Sequence, residues 1–176
     1  RTAVIYGERR YTWAESYARM RHLASALNGA GLGIGDTVSV IAANTPEMFE
    51  AHFGVPMAGC VLNTINTRLE AETISYILEN SDCRVLIVDT AFAPAVVPAL
   101  ESLPADVRKN IRVVDIRDAA MGDLAPVGDE DYESFIGAGD PDYDWQMPAD
   151  EWQALALGYT SGTSGRPKGV VYHHRG

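Results

Sequence analysis

Apolar, strand-like runs alternate with helix-like segments along most of this 176-residue chain. The clearest run is Val85-Leu86-Ile87-Val88, which has no polar position, as expected of a strand that is buried on both faces. Further strands are predicted at 38–42, 61–62, 111–114, 154–158 and 170–173, and helices at 13–30, 45–57, 71–80 and, in part, 92–103. Because strands that alternate with helices form parallel sheets, the pattern predicts an α/β fold with a largely parallel sheet and helices on both faces.

The first helix is predicted to begin after Thr12-Trp13-Ala14-Glu15, which forms a capping box. In this motif the Thr12 hydroxyl accepts a hydrogen bond from the Glu15 N–H, and the Glu15 carboxylate reaches back. Gly31 suits the C-terminal cap. Apolar residues at three-to-four spacing define the face that we expect to be buried. These residues are Trp13, Tyr17, Met20, Ala24 and Leu27.

The second helix is predicted to open at Thr45-Pro46-Glu47, because a proline at the first helical position loses no hydrogen bond. Pro56 falls inside the helical pattern and is expected to kink or end the helix. The residues expected to point inward are Met48, Phe49, Phe53 and Met57.

Regular patterning weakens between Arg117 and Glu151, where Asp, Gly and Pro are frequent and one short helix is predicted near 132–136. We therefore expect three parts: an α/β subdomain at 1–116, an acidic Gly/Pro-rich connection at 117–151, and 152–176, which carries a glycine-rich segment. The run from Asp140 superficially resembles a calcium-binding EF-hand loop, but Trp145 replaces the glycine that its turn requires. A solvated acidic loop is the preferred interpretation.

Composition argues against several classes of partner. The formal net charge is −10 and the pI is about 4.7, which disfavours nucleic acid and anionic membranes. No apolar run approaches the roughly 20 residues of a membrane span. Cys60 and Cys83 lie in apolar surroundings without metal-like spacing. We therefore expect buried, reduced thiols and a cytoplasmic protein.

The polar segment from Tyr159 to Gly169 is suited to hold a polyphosphate. Its glycines let backbone N–H groups approach a ligand, and consecutive N–H groups form an anion-binding concavity. Its Ser and Thr hydroxyls add donors, and Lys168, one of only two lysines in the chain, adds positive charge. The alternative is an ordinary hairpin connection between two strands, for which the segment is long.

This segment is not a Walker P-loop, which needs Gly-Lys-Ser/Thr leading into a helix. Here Arg166-Pro167 separate Gly165 from Lys168, and Val170-Val171-Tyr172 predict a strand. A P-loop kinase or GTPase is therefore not indicated.

The segment instead resembles the phosphate-loop signature of the adenylate-forming (AMP-binding) enzymes, an aromatic residue followed by Thr-Ser-Gly-Thr-Thr-Gly-x-Pro-Lys-Gly-Val. The chain matches this signature from Tyr159 to Val170 and departs from it only at Ser164, which keeps the hydroxyl of the usual threonine. His174-Arg175 stand where the family often has a His-Arg pair. The stretch from Val61 to Leu69 is similar to the acyl-CoA synthetase branch, and within it to short- and medium-chain synthetases such as methylmercaptopropionate–CoA ligases.

The resemblance implies that the chain is the first part of the large N-terminal domain of such an enzyme. It also implies a two-step reaction, in which a carboxylate attacks the α-phosphate of ATP and coenzyme A then displaces AMP from the acyl adenylate. ATP, Mg²⁺ and coenzyme A are the implied cofactors and co-substrate. By resemblance, Thr160 faces the metal and the phosphates, and Lys168 supplies charge. The residues implied around the β- and γ-phosphates are Ser161, Gly162, Thr163, Ser164 and Gly165.

No catalytic residue is expected within the chain, because it shows neither a nucleophile–base pair nor a carboxylate dyad. By resemblance, the family's adenine, acyl and catalytic-lysine sites lie beyond Gly176. We therefore expect an N-terminal fragment, inactive alone, of an enzyme that acts on a small carboxylic acid and could form a homodimer. Two alternatives stay open: an adenylation domain that delivers to a carrier protein, and a non-catalytic fragment that at most binds phosphate.

Overall fold

The computed structural model describes residues 1–160 and 166–176. None of the helices in these two ranges has the length and apolarity that crossing a bilayer requires. The strands are β1 (Thr2–Tyr6), β2 (Arg9–Thr12), β3 (Thr37–Ile41), β4 (Val61–Thr64), β5 (Cys83–Asp89), β6 (Arg112–Ile116), β7 (Glu130–Asp131), β8 (Ala154–Thr160) and β9 (Lys168–His173). The helices are α1 (Trp13–Gly29), α2 (Pro46–Met57), α3 (Ala71–Asn80), α4 (Ala93–Glu101), α5 (Ala105–Arg108) and α6 (Tyr132–Gly137).

The strands β3 to β9 form one sheet in the order β7-β6-β5-β3-β4-β8-β9, while β1 and β2 form a separate antiparallel hairpin. Every neighbouring pair in the large sheet is parallel except β8 and β9. The chain therefore extends the sheet on both sides of β3, first with β4 and then with β5. This mostly parallel sheet confirms the predicted α/β fold.

Helices cover both faces of the sheet because successive residues of a strand point to opposite sides. In β5, Val85 and Ile87 join the core formed with α1, α2 and α6, whereas Leu86 and Val88 join the core formed with α3 and α4. All four side chains are fully buried. A strand in this position tolerates no polar face, which explains its uninterrupted apolar run.

The capping box of α1 is confirmed, and three of the five residues predicted on its buried face, Met20, Ala24 and Leu27, are buried. The Glu15 N–H donates to the Thr12 hydroxyl at 3.2 Å, and the Thr12 N–H donates to the Glu15 carboxylate at 2.7 Å. Trp13 and Tyr17, expected to be buried, are 56% and 42% exposed. Tyr17 lies at the rim, where its hydroxyl accepts a hydrogen bond from the Trp145 indole at 2.9 Å. The residues that α1 buries are Ser16, Met20, Leu23, Ala24, Ala26 and Leu27.

The helix α2 begins at Pro46 as predicted and ends at Met57, one residue after Pro56. Phe53, expected to point inward, is 43% exposed and packs edge-on against Phe49, with ring centroids 5.3 Å apart. The side of α2 next to α1 is instead occupied by Gly54, where a Cβ would lie 2.9 Å from the Met20 carbonyl oxygen. The prediction for Phe53 was therefore wrong, because the adjacent residue, Gly54, is the one that contacts α1.

Residues 117–151 contribute to the core through α6, which confirms the short helix predicted near 132–136. Tyr132 and Phe135 are each 2% exposed and pack with α1 and α2. The Tyr132 hydroxyl donates to the Glu50 carboxylate at 2.9 Å, and Glu50 also pairs with Arg19 of α1. The division of the chain at 116 and 151 stays a prediction.

The close approach of α1 and α2 predicts that Gly54→Ala lowers the free energy of unfolding by about 1–3 kcal/mol, the usual cost of overpacking. A Cβ at Gly54 would lie 2.9 Å from the Met20 carbonyl oxygen and 2.8 Å from Leu23 Cδ2, so backbone must move. Gly29, in α1, is the matched control because a Cβ there meets nothing within 4 Å. Urea unfolding of residues 1–176 should place Gly29→Ala at or up to about 1 kcal/mol above the unsubstituted chain. Equal stability of the two variants would show that the close approach is not required.

The two cysteines are free and buried, as predicted. Burial raises the pKa of Cys60 to about 12 and that of Cys83 to about 11. Because the thiolate is the reactive form, we expect both thiols of the folded chain to react with Ellman's reagent at pH 8 at least about a hundredfold more slowly than in urea. Titration of residues 1–176 with and without urea measures this. Fast release of one thiol equivalent from the folded chain would contradict the burial.

Candidate functional site at the β8–β9 hairpin

The glycine-rich segment connects β8 to β9 at one particular edge of the sheet. β8 is parallel to β4, with Leu62 opposite Ala156, and β4 is parallel to β3. The carboxyl end of β8 therefore lies at the same edge as the carboxyl ends of β3, β4, β5 and β6. Ligands of open α/β sheets bind at this edge. The connection thus leaves the sheet where the sequence predicts a site.

The structure brings Thr160 and Lys168 together as a cross-strand pair that closes the hairpin. Both residues are exposed. Directly opposed residues of antiparallel strands have Cβ atoms about 4.5–5.5 Å apart, so the hydroxyl and the ammonium group flank the mouth of the connection. The remaining predicted site residues, Ser161, Gly162, Thr163, Ser164 and Gly165, lie outside the described residues. Their place in the site stays a prediction.

Both strands of the hairpin are longer than predicted. β8 continues to Thr160 rather than stopping at Gly158, and β9 begins at Lys168 rather than Val170. Gly169 lies opposite Tyr159, and a Cβ at Gly169 would lie 3.4 Å from the Tyr159 ring and 3.1 Å from Leu157 Cδ1. The 3.1 Å approach is the tight one, so the missing side chain makes room for Leu157, and Gly169 serves close packing within the sheet.

Both ends of the connection also contact α3, which the sequence does not associate with the site. The Tyr159 hydroxyl donates to Asn80 Oδ1 at 2.8 Å. On the other side, the guanidinium carbon of Arg166 lies 5.2 Å from the centroid of the Tyr76 ring. No local pattern identifies Tyr76 or Asn80, since 79 positions separate Asn80 from Tyr159.

A groove of about 680 Å³ lies between α3 and the Arg166-Pro167 end of the connection. Glu72, Tyr76 and Glu79 of α3 form one wall, and Arg166 closes the other. Partial burial, with Tyr76 and Asp82 contributing, raises the pKa of Tyr159. The phenol therefore stays protonated and remains a hydrogen-bond donor to α3.

Carboxylates near this edge of the sheet are engaged in local structure. Asp89 accepts from the Ala91 N–H and Asp118 from the Ala120 N–H, each at 3.0 Å. In the part of the chain that the structure describes, no group of three or more His, Cys, Asp and Glu residues could hold a metal ion. The Thr160 hydroxyl is, however, the oxygen donor that Mg²⁺ prefers, and Mg²⁺ commonly takes few protein ligands together with substrate phosphates. Thr160 therefore fits the implied metal.

The end of β9 and the residues that follow it make local contacts. The His173 ring lies 4.5 Å from the Trp152 ring, and Arg175 pairs with Glu151 at 3.3 Å, where both side chains are exposed. Exposed ion pairs contribute little to stability, so this contact orders the chain without fixing it strongly.

The fold places the chain among α/β proteins with a mostly parallel sheet covered by helices on both faces. Residues 1–176 match the AMP-binding enzyme family over their whole length, and the chain belongs to this family. An acetate/butyrate–CoA ligase of Arabidopsis thaliana, described as peroxisomal, is 46% identical over 184 aligned residues, covering 100% of this chain and 32% of the relative. An acetate–CoA ligase of Humulus lupulus is 45% identical with the same coverage. The chain thus spans about a third of the length of these relatives.

Solved structures share the fold. A fatty acyl CoA synthetase of Mycobacterium tuberculosis superimposes with a TM-score of 0.73 at 27% identity, covering 94% of this chain and 30% of that one. A benzoate CoA ligase of Burkholderia xenovorans LB400 gives a TM-score of 0.81 at 24% identity, covering 99% and 32%. These similarities confirm the predicted fold, the first part of the N-terminal domain of an adenylate-forming enzyme.

Proposed function

We propose that the chain is the N-terminal part of an ATP-dependent acyl-CoA synthetase, which forms acyl-CoA, AMP and pyrophosphate from a carboxylic acid, ATP and coenzyme A. The observation that carries the proposal is the Thr160–Lys168 pair at the mouth of a glycine- and hydroxyl-rich connection, at the carboxyl edge of the sheet. The relatives support it, because they are named as CoA ligases.

In the proposed reaction, this chain's residues act on the adenylation step. Lys168 neutralises the charge that develops on the departing pyrophosphate, which is electrostatic work for a preorganised group. Thr160 holds Mg²⁺ against the phosphates, and Mg²⁺ supplies further charge neutralisation when bound. The residues proposed to surround the β- and γ-phosphates are Ser161, Gly162, Thr163, Ser164 and Gly165.

We propose a small carboxylic acid as the substrate, in keeping with the acetate and butyrate named for the Arabidopsis relative. We also propose that the full-length enzyme is a homodimer. Analytical ultracentrifugation of that enzyme tests this, because it measures the mass of the assembly. A cytoplasmic location is proposed from the two buried, free cysteines. Imaging of the tagged full-length protein distinguishes it from the peroxisomal location in the name of that relative.

The alternative acceptor is a carrier protein in place of coenzyme A. Supplying the full-length enzyme with ATP, acid and either coenzyme A or a phosphopantetheinylated carrier domain separates the two. Thioester formation only on the carrier would replace the proposal.

Residues 1–176 alone are expected to show no carboxylate-dependent ATP–pyrophosphate exchange above a boiled sample. The physical reason is that the chain spans about a third of its relatives and supplies a phosphate site without the proposed adenine and acyl sites. The full-length enzyme, assayed in parallel, is the positive control. Exchange by the isolated chain would refute the expectation.

Lys168→Ala in the full-length enzyme is expected to slow adenylation by about 10²–10³, the usual loss for one preorganised electrostatic contact. Thioester formation from supplied acyl adenylate should change far less, because that step releases no pyrophosphate. Lys109→Ala is the matched control, since it removes the other lysine of residues 1–176, an exposed residue just after α5. Equal slowing of both half-reactions by Lys168→Ala would assign Lys168 a structural role.

A further inference from the structure

We propose that α3 positions the phosphate-binding connection, with Asn80 holding its β8 end and Tyr76 its β9 end. The inference rests on the proposed function of the connection. Tyr76 and Asn80 are thus positioning residues for the adenylation step, and Arg166 anchors the connection to α3.

The β8 end is held by Tyr159. Its hydroxyl donates to Asn80 Oδ1 at 2.8 Å, and its ring packs with the core between α3, α4 and the sheet. Across the hairpin, Tyr159 lies opposite Gly169 of β9. The hydrogen bond to α3 and the packing in the core therefore orient Tyr159.

The β9 end is held by Arg166. Its guanidinium carbon lies 5.2 Å from the Tyr76 ring centroid, within the range of a cation–π contact. Arg166 and Lys168 are two positions apart, but only Lys168 pairs with Thr160 at the mouth. The two cations thus have different roles. Arg166 contacts α3, and Lys168 contacts the proposed anion.

Tyr76 and Asn80 are four residues apart on α3 and so lie on the same side of the helix, one turn apart. The opposite side is fixed, because Ile74, Ile77 and Leu78 are at most 1% exposed. A rigid helix therefore sets the distance between the two ends of the connection. Fixing these ends before ATP arrives lowers the ordering cost of binding.

Misplacement of a positioned group by about 1 Å can cost about 10² in rate. Full-length Tyr76→Leu and Arg166→Gln are each expected to raise the KM for ATP about tenfold in carboxylate-dependent exchange. The double variant should be no worse than either single one. Tyr76→Phe keeps the ring face and should stay within about twofold of the unsubstituted enzyme. Thioester formation from supplied acyl adenylate should be unchanged in all four.

The matched control is Tyr17→Leu. Tyr17 also lies under an arginine, with the Arg21 guanidinium carbon 4.8 Å from its ring centroid, but on α1, away from the hairpin. This variant should leave the KM for ATP unchanged. An unchanged KM in Tyr76→Leu, or equal losses in Tyr76→Leu, Tyr76→Phe and both half-reactions, would overturn the inference.

Hydrogen exchange of the peptide 168–173 in the full-length protein provides a readout that needs no activity. Tyr76→Leu should speed its exchange about tenfold, while Tyr76→Phe and Tyr17→Leu leave it unchanged. If the unsubstituted enzyme shows no ATP–pyrophosphate exchange in the presence of any acid, the proposed function fails. The hydrogen-exchange measurement still tests whether α3 anchors the connection. Unaltered hydrogen exchange in Tyr76→Leu would refute the anchor itself.

Discussion

The burial of β3 on both faces is the constraint on which the rest of the structure depends. All five of its residues are buried, including Ser39, which accepts a hydrogen bond from Asn63 Nδ2 at 3.1 Å across to β4. A strand buried in this way needs neighbours on both edges and helices on both faces. Parallel neighbours then require crossovers, and each crossover brings the next strand back in the same direction. The carboxyl ends of β3 to β6 and of β8 consequently meet at one edge, where the hairpin connection emerges.

Features encoded by neighbouring residues could be predicted from the sequence. The capping box at Thr12, the start of α2 at Pro46 and the apolar run of β5 each depend on groups a few positions apart. The buried face of α1 could be predicted only in part, since Met20, Ala24 and Leu27 are buried but two aromatic residues are not. Trp13 and Tyr17 match the apolar spacing, but an aromatic residue with a polar tip is as stable at a rim where that tip finds a partner. Which stripe of a helix faces the core depends on the helices packed against it, and those contacts are distant in sequence.

The hairpin shows the same limit within the site. Lysine and glycine have low intrinsic preference for strands, so Lys168 and Gly169 were assigned to a loop. Pairing with β8 outweighs that preference, because Lys168 and Gly169 continue the antiparallel ladder opposite Thr160 and Tyr159. Because both strands extend further than predicted, Thr160 and Lys168 lie at the ends of the strands rather than within the loop. The pairing of Thr160 with Lys168 and the contact with α3 therefore required the tertiary structure, and the role of these residues in a phosphate site stays a prediction.

Electrostatics constrain how the proposed phosphate site would work in an acidic chain. A net charge of −10 repels a polyphosphate at long range, although salt at physiological strength screens this repulsion beyond roughly 8 Å. Attraction must therefore be local, from Lys168, from N–H donors and from a metal ion bound with the phosphates. Anchoring strengthens this local attraction, because a cation whose backbone is held in a strand loses less entropy on binding than one on a free loop. In the proposed site, the pairing of Lys168 with Thr160 would let an acidic domain present one lysine to an anion. The contact of Arg166 with Tyr76 would hold the neighbouring cation on α3, away from the anion.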